Sequence, residues 1–161
     1  MAITINFDLD GTLYDLYGLE NWLSLLRNEQ EGAFTLSFPL FGAEFYVIIS
    51  NLLAKGVIFN VITWLPMGAS KEYEEICTRE KREWCKNFLP FITNFTAQPY
   101  GVPKQKGIVK NAQTEILIDD NIEVCKVWET QKRRKYYQVT KEKNVTQILQ
   151  EIYNEYFGDL E

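Results

Sequence analysis

Histidine is absent from the 161 residues, and cysteine is scarce, with only Cys77, Cys85 and Cys125. Without His there is no Ser-His-Asp or Cys-His nucleophile system. The three Cys contain no C-x-x-C pair, so a zinc site is not expected either. Reduced thiols in a cytoplasmic protein are the simplest account of this usage. Cys77 and Cys85 stand eight apart in a helical pattern, which places them on a helix face near the core.

Long apolar runs are also missing. No stretch of about 18 apolar residues can span a bilayer, and Met1 to Phe7 lacks the positive start and longer apolar segment of a signal peptide. Nor is there a surplus of positive charge. Lys and Arg number 17 against 22 Asp and Glu, giving a net charge of -5 and a pI near 4.9. That balance argues against extended nucleic-acid binding over a broad basic surface. The one dense basic run, Lys132-Arg133-Arg134-Lys135, reads as a solvated helix end with its cations beside the negative pole of the helix dipole. No internal repeat or low-complexity linker divides the chain. The expectation is a cytoplasmic, non-membrane protein with one domain over 1–161, whose 46% apolar share, four Trp, nine Tyr and ten Phe can supply a core.

Ile3 to Phe7 alternates apolar and polar residues before an acidic, glycine-containing turn, and reads as a strand. Leu16, Leu19, Leu23 and Leu26 recur at helical spacing, predicting a helix over 16–27. An aromatic loop at 32–39 leads to a second helix near 42–54, stopped by Lys55-Gly56. Val57 to Ile62 has the composition of a strand buried on both faces and ends at Thr63. Ser70 can cap a long helix with a stripe of Tyr73, Ile76, Cys77, Trp84, Phe88 and Leu89; the charged residues between them are expected on its wet face. A short strand at 94–98, a polar turn at 99–104, a strand at 115–118 and a helix at 121–131 follow. A last strand at 135–139 and a helix that Asn144 and Gln147 can cap close the chain. Strands alternating with helices predict a Rossmann-like α/β fold, with a mainly parallel sheet of about five strands flanked by helices.

Asp8, Thr63 and the pair Asp119-Asp120 each follow directly on a predicted strand. In an open parallel sheet those strand ends share one edge, where ligands usually bind. Asp8 and Asp10 lie two apart in Asp8-Leu9-Asp10-Gly11-Thr12-Leu13, and Gly11 permits a tight turn. With Asp119 and Asp120, as many as four carboxylates gather. Each like-charge pair at about 4 Å costs roughly 4 kcal/mol at an effective dielectric of 20, so a cation is required. All-oxygen ligation by Asp8, Asp10, Asp119 and Asp120 fits Mg2+. With no His, carboxylates must act as nucleophile and as proton carrier.

The Asp8 to Leu13 segment resembles motif I of the haloacid dehalogenase superfamily, whose members are mostly magnesium phosphatases. Thr63 resembles motif II, a Lys within Lys104 to Lys110 motif III, and Ile118-Asp119-Asp120 motif IV. The resemblance implies that Asp8 is the nucleophile. Asp10 would protonate the leaving oxygen, activate the hydrolytic water and offer its backbone carbonyl to the metal. Thr63 would hydrogen-bond the phosphoryl group, and Lys104, with Lys106 and Lys110 as alternatives, would neutralise nucleophile and phosphate. Asp120 would be a direct metal ligand and Asp119 a direct or water-mediated one. Thr12 and Trp64 are candidate substrate-binding positions. A weaker likeness runs from Thr63-Trp64-Leu65 to the Tyr100–Lys104 turn, and points toward phage and bacterial relatives of deoxyribonucleotidases.

The superfamily often inserts a cap that selects substrate. Here residues 14–56 form only a short helical and aromatic insertion, a minimal cap, and the site is expected to be open. Phe34, Phe38, Phe41 and Trp64 are residues that can cover it, with core packing the alternative for Phe34 and Phe38. The expected activity is Mg2+-dependent hydrolysis of a small phosphorylated substrate, nucleotides among the candidates. A non-catalytic binding or scaffold protein and a phosphoacceptor signalling domain are the alternatives. In a receiver domain, however, the acidic pair precedes the phosphorylated Asp, the reverse of the order here.

Overall fold

The computed structural model describes residues 2–109 and 112–158. The chain runs β1 (Ile3–Phe7), α1 (Trp22–Arg27), α2 (Ala43–Ala54), β2 (Ile58–Trp64), α3 (Lys71–Phe88), β3 (Asn94–Gln98), a 3-10 turn (Lys104–Gly107), β4 (Thr114–Asp119), α4 (Ile122–Trp128), β5 (Arg134–Gln138) and α5 (Val145–Phe157). The strands form one sheet in the order β3-β2-β1-β4-β5, every neighbouring pair parallel. This is the Rossmann-like α/β architecture that the alternation of elements predicts. Chain order reverses at β1: β2 and β3 extend the sheet to one side, β4 and β5 to the other. The crevice between the C-terminal ends of β1 and β4 is therefore the switch point, where such sheets bind ligands.

Side-chain alternation along β1 divides the two layers. Ile3, Ile5 and Phe7 enter the main core with Phe45, Ile48 and Leu52 of α2, Cys77 and Trp84 of α3, and Ile148 and Ile152 of α5. On the opposite face α4 lays Val124 and Trp128 against Ile62 and Leu117. That face also carries a buried polar pair. Asn6 Nδ2 donates to Glu115 Oε2 at 2.9 Å, and the other Glu115 oxygen accepts from the Ala112 amide at 2.8 Å. The cap signals in the sequence are realised: Ser70 Oγ accepts from the Tyr73 amide, and Asn144 and Gln147 form a reciprocal capping box.

Several expectations need correction. The helix predicted over 16–27 begins only at Trp22, because the chain before it turns: Asp15 Oδ1 accepts from the Gly18 amide, and Asn21 is left-handed at φ 62°. Leu16 is buried without being helical. β2 is longer than expected, so Thr63 lies within the strand, while Ile58, 46% exposed, is not covered on both faces. α4 ends at Trp128, and Arg134 and Lys135 of the basic run belong to β5 instead of a helix end. There Lys135 pairs with Glu155 at 3.1 Å and the Arg134 guanidinium lies over the Trp128 ring.

The wet face expected for α3 is interrupted at Glu80 and Lys81, both buried. Glu80 accepts from the Gly32 amide with both oxygens, at 3.0 and 3.1 Å. Around that contact α3 fastens the β1–β2 connection along its length. Glu29 accepts from the Ser70 amide and hydroxyl, Tyr73 Oη donates to the Gln30 carbonyl, and Trp84 Nε1 donates to the Ser37 carbonyl. Trp84 also meets Tyr14 edge-on at 5.0 Å. Truncating this buried indole leaves a cavity where three segments meet, and Trp→Ala changes in such cores cost about 3–5 kcal/mol. Trp84→Ala should lower unfolding stability in urea by that amount; a loss below about 1 kcal/mol would show that the connection is held elsewhere.

Candidate active site

β1 delivers Asp8, whose amide still donates to the Ile118 carbonyl of β4 at 3.0 Å. The chain then turns tightly. The Leu9 carbonyl accepts from the amides of Thr12 and Leu13, and Leu9 and Leu13 are fully buried pegs that fix the loop on the core. Gly11 sits at φ 76°, where a β-carbon would stand 2.4 Å from Asp120 Oδ2 and 2.8 Å from the Tyr17 ring. Only glycine meets both demands. β4 ends at Asp119, whose Oδ1 accepts from the Asn121 amide at 2.9 Å, and Asn121 then caps α4.

Carboxylate oxygens of Asp8, Asp119 and Asp120 lie within 4.8 Å of one another. The Asp10 side chain is not in this group, because Oδ1 accepts from Tyr14 Oη at 2.5 Å and Oδ2 from Lys81 Nζ at 2.9 Å. The expected cluster of four side chains is thus a triad plus a separately held Asp10. Lys104 Nζ bridges the triad, 2.7 Å from Asp8 Oδ1 and 2.7 Å from Asp119 Oδ2. Its 3-10 turn can pack closely because Gly107 has no side chain: a β-carbon there would stand 2.9 Å from both Gln98 and Ile62. Lys106 is exposed, and Lys110 lies outside the described residues.

Thr12 Oγ1 donates to Asp8 Oδ2 at 3.0 Å and is fully buried, so this candidate substrate-binding residue supports Asp8 from behind. Thr63 is fully buried too, and its hydroxyl accepts from Lys81 Nζ at 2.9 Å. Lys81 is the residue that sequence reasoning missed. Its third proton goes to the Trp64 carbonyl at 2.6 Å. A signal existed: positions 73, 77, 80, 81, 84 and 88 continue a single helical stripe, so charges at 80 and 81 stood in register with the buried apolar residues.

Burial, then repulsion from Asp119, raises the Asp8 carboxyl above its ordinary value against the pull of Lys104. Burial first, then Asp8 and Asp119, push Asp120 up to about 9. Burial alone would lower Lys104, but Asp8 and Asp119 together hold it above the usual lysine value. The triad contributes three carboxylates to one ammonium group, and counting Asp10 with Lys81 there are four to two. With every carboxylate ionised, two negative charges are left over, and with the all-oxygen donor set they fit a divalent hard cation such as Mg2+, which would displace the proton of Asp120.

These groups floor a cavity of about 400 Å³. Tyr17, Trp22, Phe34, Trp64 and Tyr100 are its aromatic walls, so the β1–β2 connection covers the expected open site in part. Trp64 lines it as expected. Phe38 is 79% exposed and Phe41 packs on Phe45, and neither lines this cavity. No protein-family model and no curated protein matches the chain, so the functional reading rests on this geometry.

Gly11→Ala should displace the Asp120 carboxylate and weaken binding of Mg2+ by on the order of tenfold or more, as changes supporting a metal site do. Calorimetric titration of the purified variant checks this, and an unchanged affinity would remove Asp120 from the cation site.

Proposed function

We propose that the chain is a Mg2+-dependent phosphomonoester hydrolase of the haloacid dehalogenase type, acting in the cytoplasm through an aspartyl-phosphate. The observation that carries the proposal is Lys104, which joins Asp8 to Asp119 at the floor of the cavity, on the switch point of a parallel sheet. A buried carboxylate beside a fixed ammonium group and an acidic pair is what phosphoryl transfer to Asp requires.

Asp8 forms a bond to phosphorus as the bond from phosphorus to the leaving oxygen breaks. Asp10, next to it on the same loop and part-exposed to the cavity, must carry a proton when the ester binds, and gives it to that oxygen, becoming the carboxylate. Water then attacks the phosphorus of the aspartyl-phosphate while Asp10 takes the water's proton; phosphate departs and the Asp8 carboxylate is restored. Lys104 offsets charge on nucleophile and phosphate throughout. Asp8, Asp119 and Asp120, with the Asp10 carbonyl, would hold Mg2+, which supplies positive charge to draw in and orient a phosphate dianion. Thr63 contributes from behind this centre through Lys81.

Nucleotides are the substrate class that the walls favour. Trp64 is fixed by its Nε1–H bond to the Val102 carbonyl at 2.7 Å and packs with Tyr100, while Tyr17 and Trp22 form a second aromatic pair. Planar bases gain about 1–3 kcal/mol per stacking contact on such side chains. In a panel of nucleoside monophosphates, sugar phosphates and 3'-phosphorylated oligonucleotides, wild type should release phosphate from the first group most efficiently and only with Mg2+. Asp8→Asn should abolish release, and Trp64→Ala should raise KM for nucleotides roughly tenfold. Equal release by wild type and Asp8→Asn would sink the nucleophile assignment, and no release from any member would favour a binding or scaffold role.

A further inference from the structure

The ammonium group of Lys81 is completely buried on the inward stripe of α3, beside Glu80 and between Cys77 and Trp84. Burying a charge is costly unless its hydrogen bonds are satisfied. All three protons of Lys81 are used, on Asp10 Oδ2, Thr63 Oγ1 and the Trp64 carbonyl, and the ammonium also lies 4.6 Å from the centre of the Phe34 ring. Of the two side chains it holds, Thr63 is fully buried and outside the cavity lining, whereas Asp10 lines the cavity with its side chain 20% exposed. Packing alone gives no reason for a lysine here, since an unbranched apolar side chain would continue the stripe of Tyr73, Cys77 and Trp84.

We infer that Lys81 is a positioning residue for the proposed hydrolysis, acting through Asp10. Lys81 holds one Asp10 oxygen and Tyr14 the other, at 2.9 and 2.5 Å, so the carboxylate cannot rotate toward the Asp8, Asp119 and Asp120 group. Thr63 and the Trp64 carbonyl in turn fix Lys81 on the end of β2. The order of dependence is β2 to Lys81 to Asp10, and the residue that meets the substrate is the last of these. Lys81 hydrogen-bonds none of the three carboxylates of the cation site and reaches Asp8 only through its charge, so its removal should impair proton transfer without weakening cation binding.

This inference rests on the hydrolase reading, and one set of measurements separates the two. With the best substrate of the panel, Lys81→Met should lower kcat by on the order of 100-fold, the penalty for misplacing an acid–base group, with KM changed less than about threefold. Mg2+ affinity measured by calorimetry should be no weaker than in wild type, since a nearby positive charge has been removed. Asp10→Asn should lower kcat as well, and adding Lys81→Met to it should bring little further loss, because the lysine acts through that carboxylate. Lys81→Cys alkylated with bromoethylamine, which rebuilds an ammonium side chain of nearly the same length, should recover most of the lost rate; thermal unfolding of each variant identifies any that do not fold. Full additivity of Lys81→Met with Asp10→Asn, or wild-type kcat in folded Lys81→Met, overturns the inference and leaves the hydrolase reading standing. Absence of turnover by wild type itself overturns both.

Discussion

Carboxylates crowd the C-terminal ends of β1 and β4, and their mutual repulsion is the constraint to which the surrounding structure responds. Two buried lysines answer it, and they arrive from opposite faces of the sheet. Lys104 comes on a 3-10 turn packed against Ile62, the residue that α4 also covers, and it bridges Asp8 to Asp119. Lys81 comes from α3, on the face of the main core, and takes Asp10. Neither lysine hydrogen-bonds the other's carboxylates, so the ion pairs fall into two compartments. In the first, the cation count falls short even with Lys104 present, and Asp120 is driven up to about 9 by burial and by its neighbours. In the second, a single carboxylate meets a single ammonium group and a phenol.

That division shapes the layer above the sheet as well. α3 spends consecutive residues on two tasks. Glu80 holds the backbone of Gly32 in the β1–β2 connection, and Lys81 holds the acidic loop. Phe34, two residues beyond Gly32, lies under the Lys81 ammonium and also lines the cavity. The cavity wall and the Asp10 carboxylate are consequently referenced to the same turn of one helix. A connection that lacks a large domain of its own acquires a fixed shape by being tied to α3 along residues 29–37, while α1, which has no buried residue, rests on that tied base.

The sequence made much of this legible where signals are local. Strand β1 with its acidic turn, the Ser70 cap, the Asn144–Gln147 box and the parallel alternation are all consequences of neighbouring residues, and the structure has each of them. Between Lys104 and Lys106, both left open by the sequence, it is Lys104 that reaches Asp8 and Asp119, while Lys106 is exposed. Less legible were features decided by distant partners. Residues 16–21 carry leucines at helical spacing, yet Asp15 and Asn21 divert the backbone locally and Leu16 packs without a helix. Lys81 and Glu80 read as solvent-facing because charge is ordinarily a mark of the wet face. Their place on the stripe becomes meaningful only once Gly32, Asp10 and Thr63, far away in sequence, are brought beside them.

Thr63 stands at the strand-end edge where its place in the sequence puts it, and there its hydroxyl is engaged by Lys81. A threonine at the end of a buried strand, on the edge where the acidic groups gather, suggests a hydroxyl for the phosphoryl group. In the structure that hydroxyl is fully buried and accepts from Lys81, and the cavity meets Asp10 instead. A hydroxyl has one proton to give and lone pairs to receive. Receiving from an ammonium group makes Thr63 part of the support for Asp10, and its own proton has only the Trp64 carbonyl nearby, at a long 3.5 Å. Thr63 and Lys81 therefore act as one support: the hydroxyl fixes the ammonium group, and the ammonium group fixes the carboxylate that the cavity exposes.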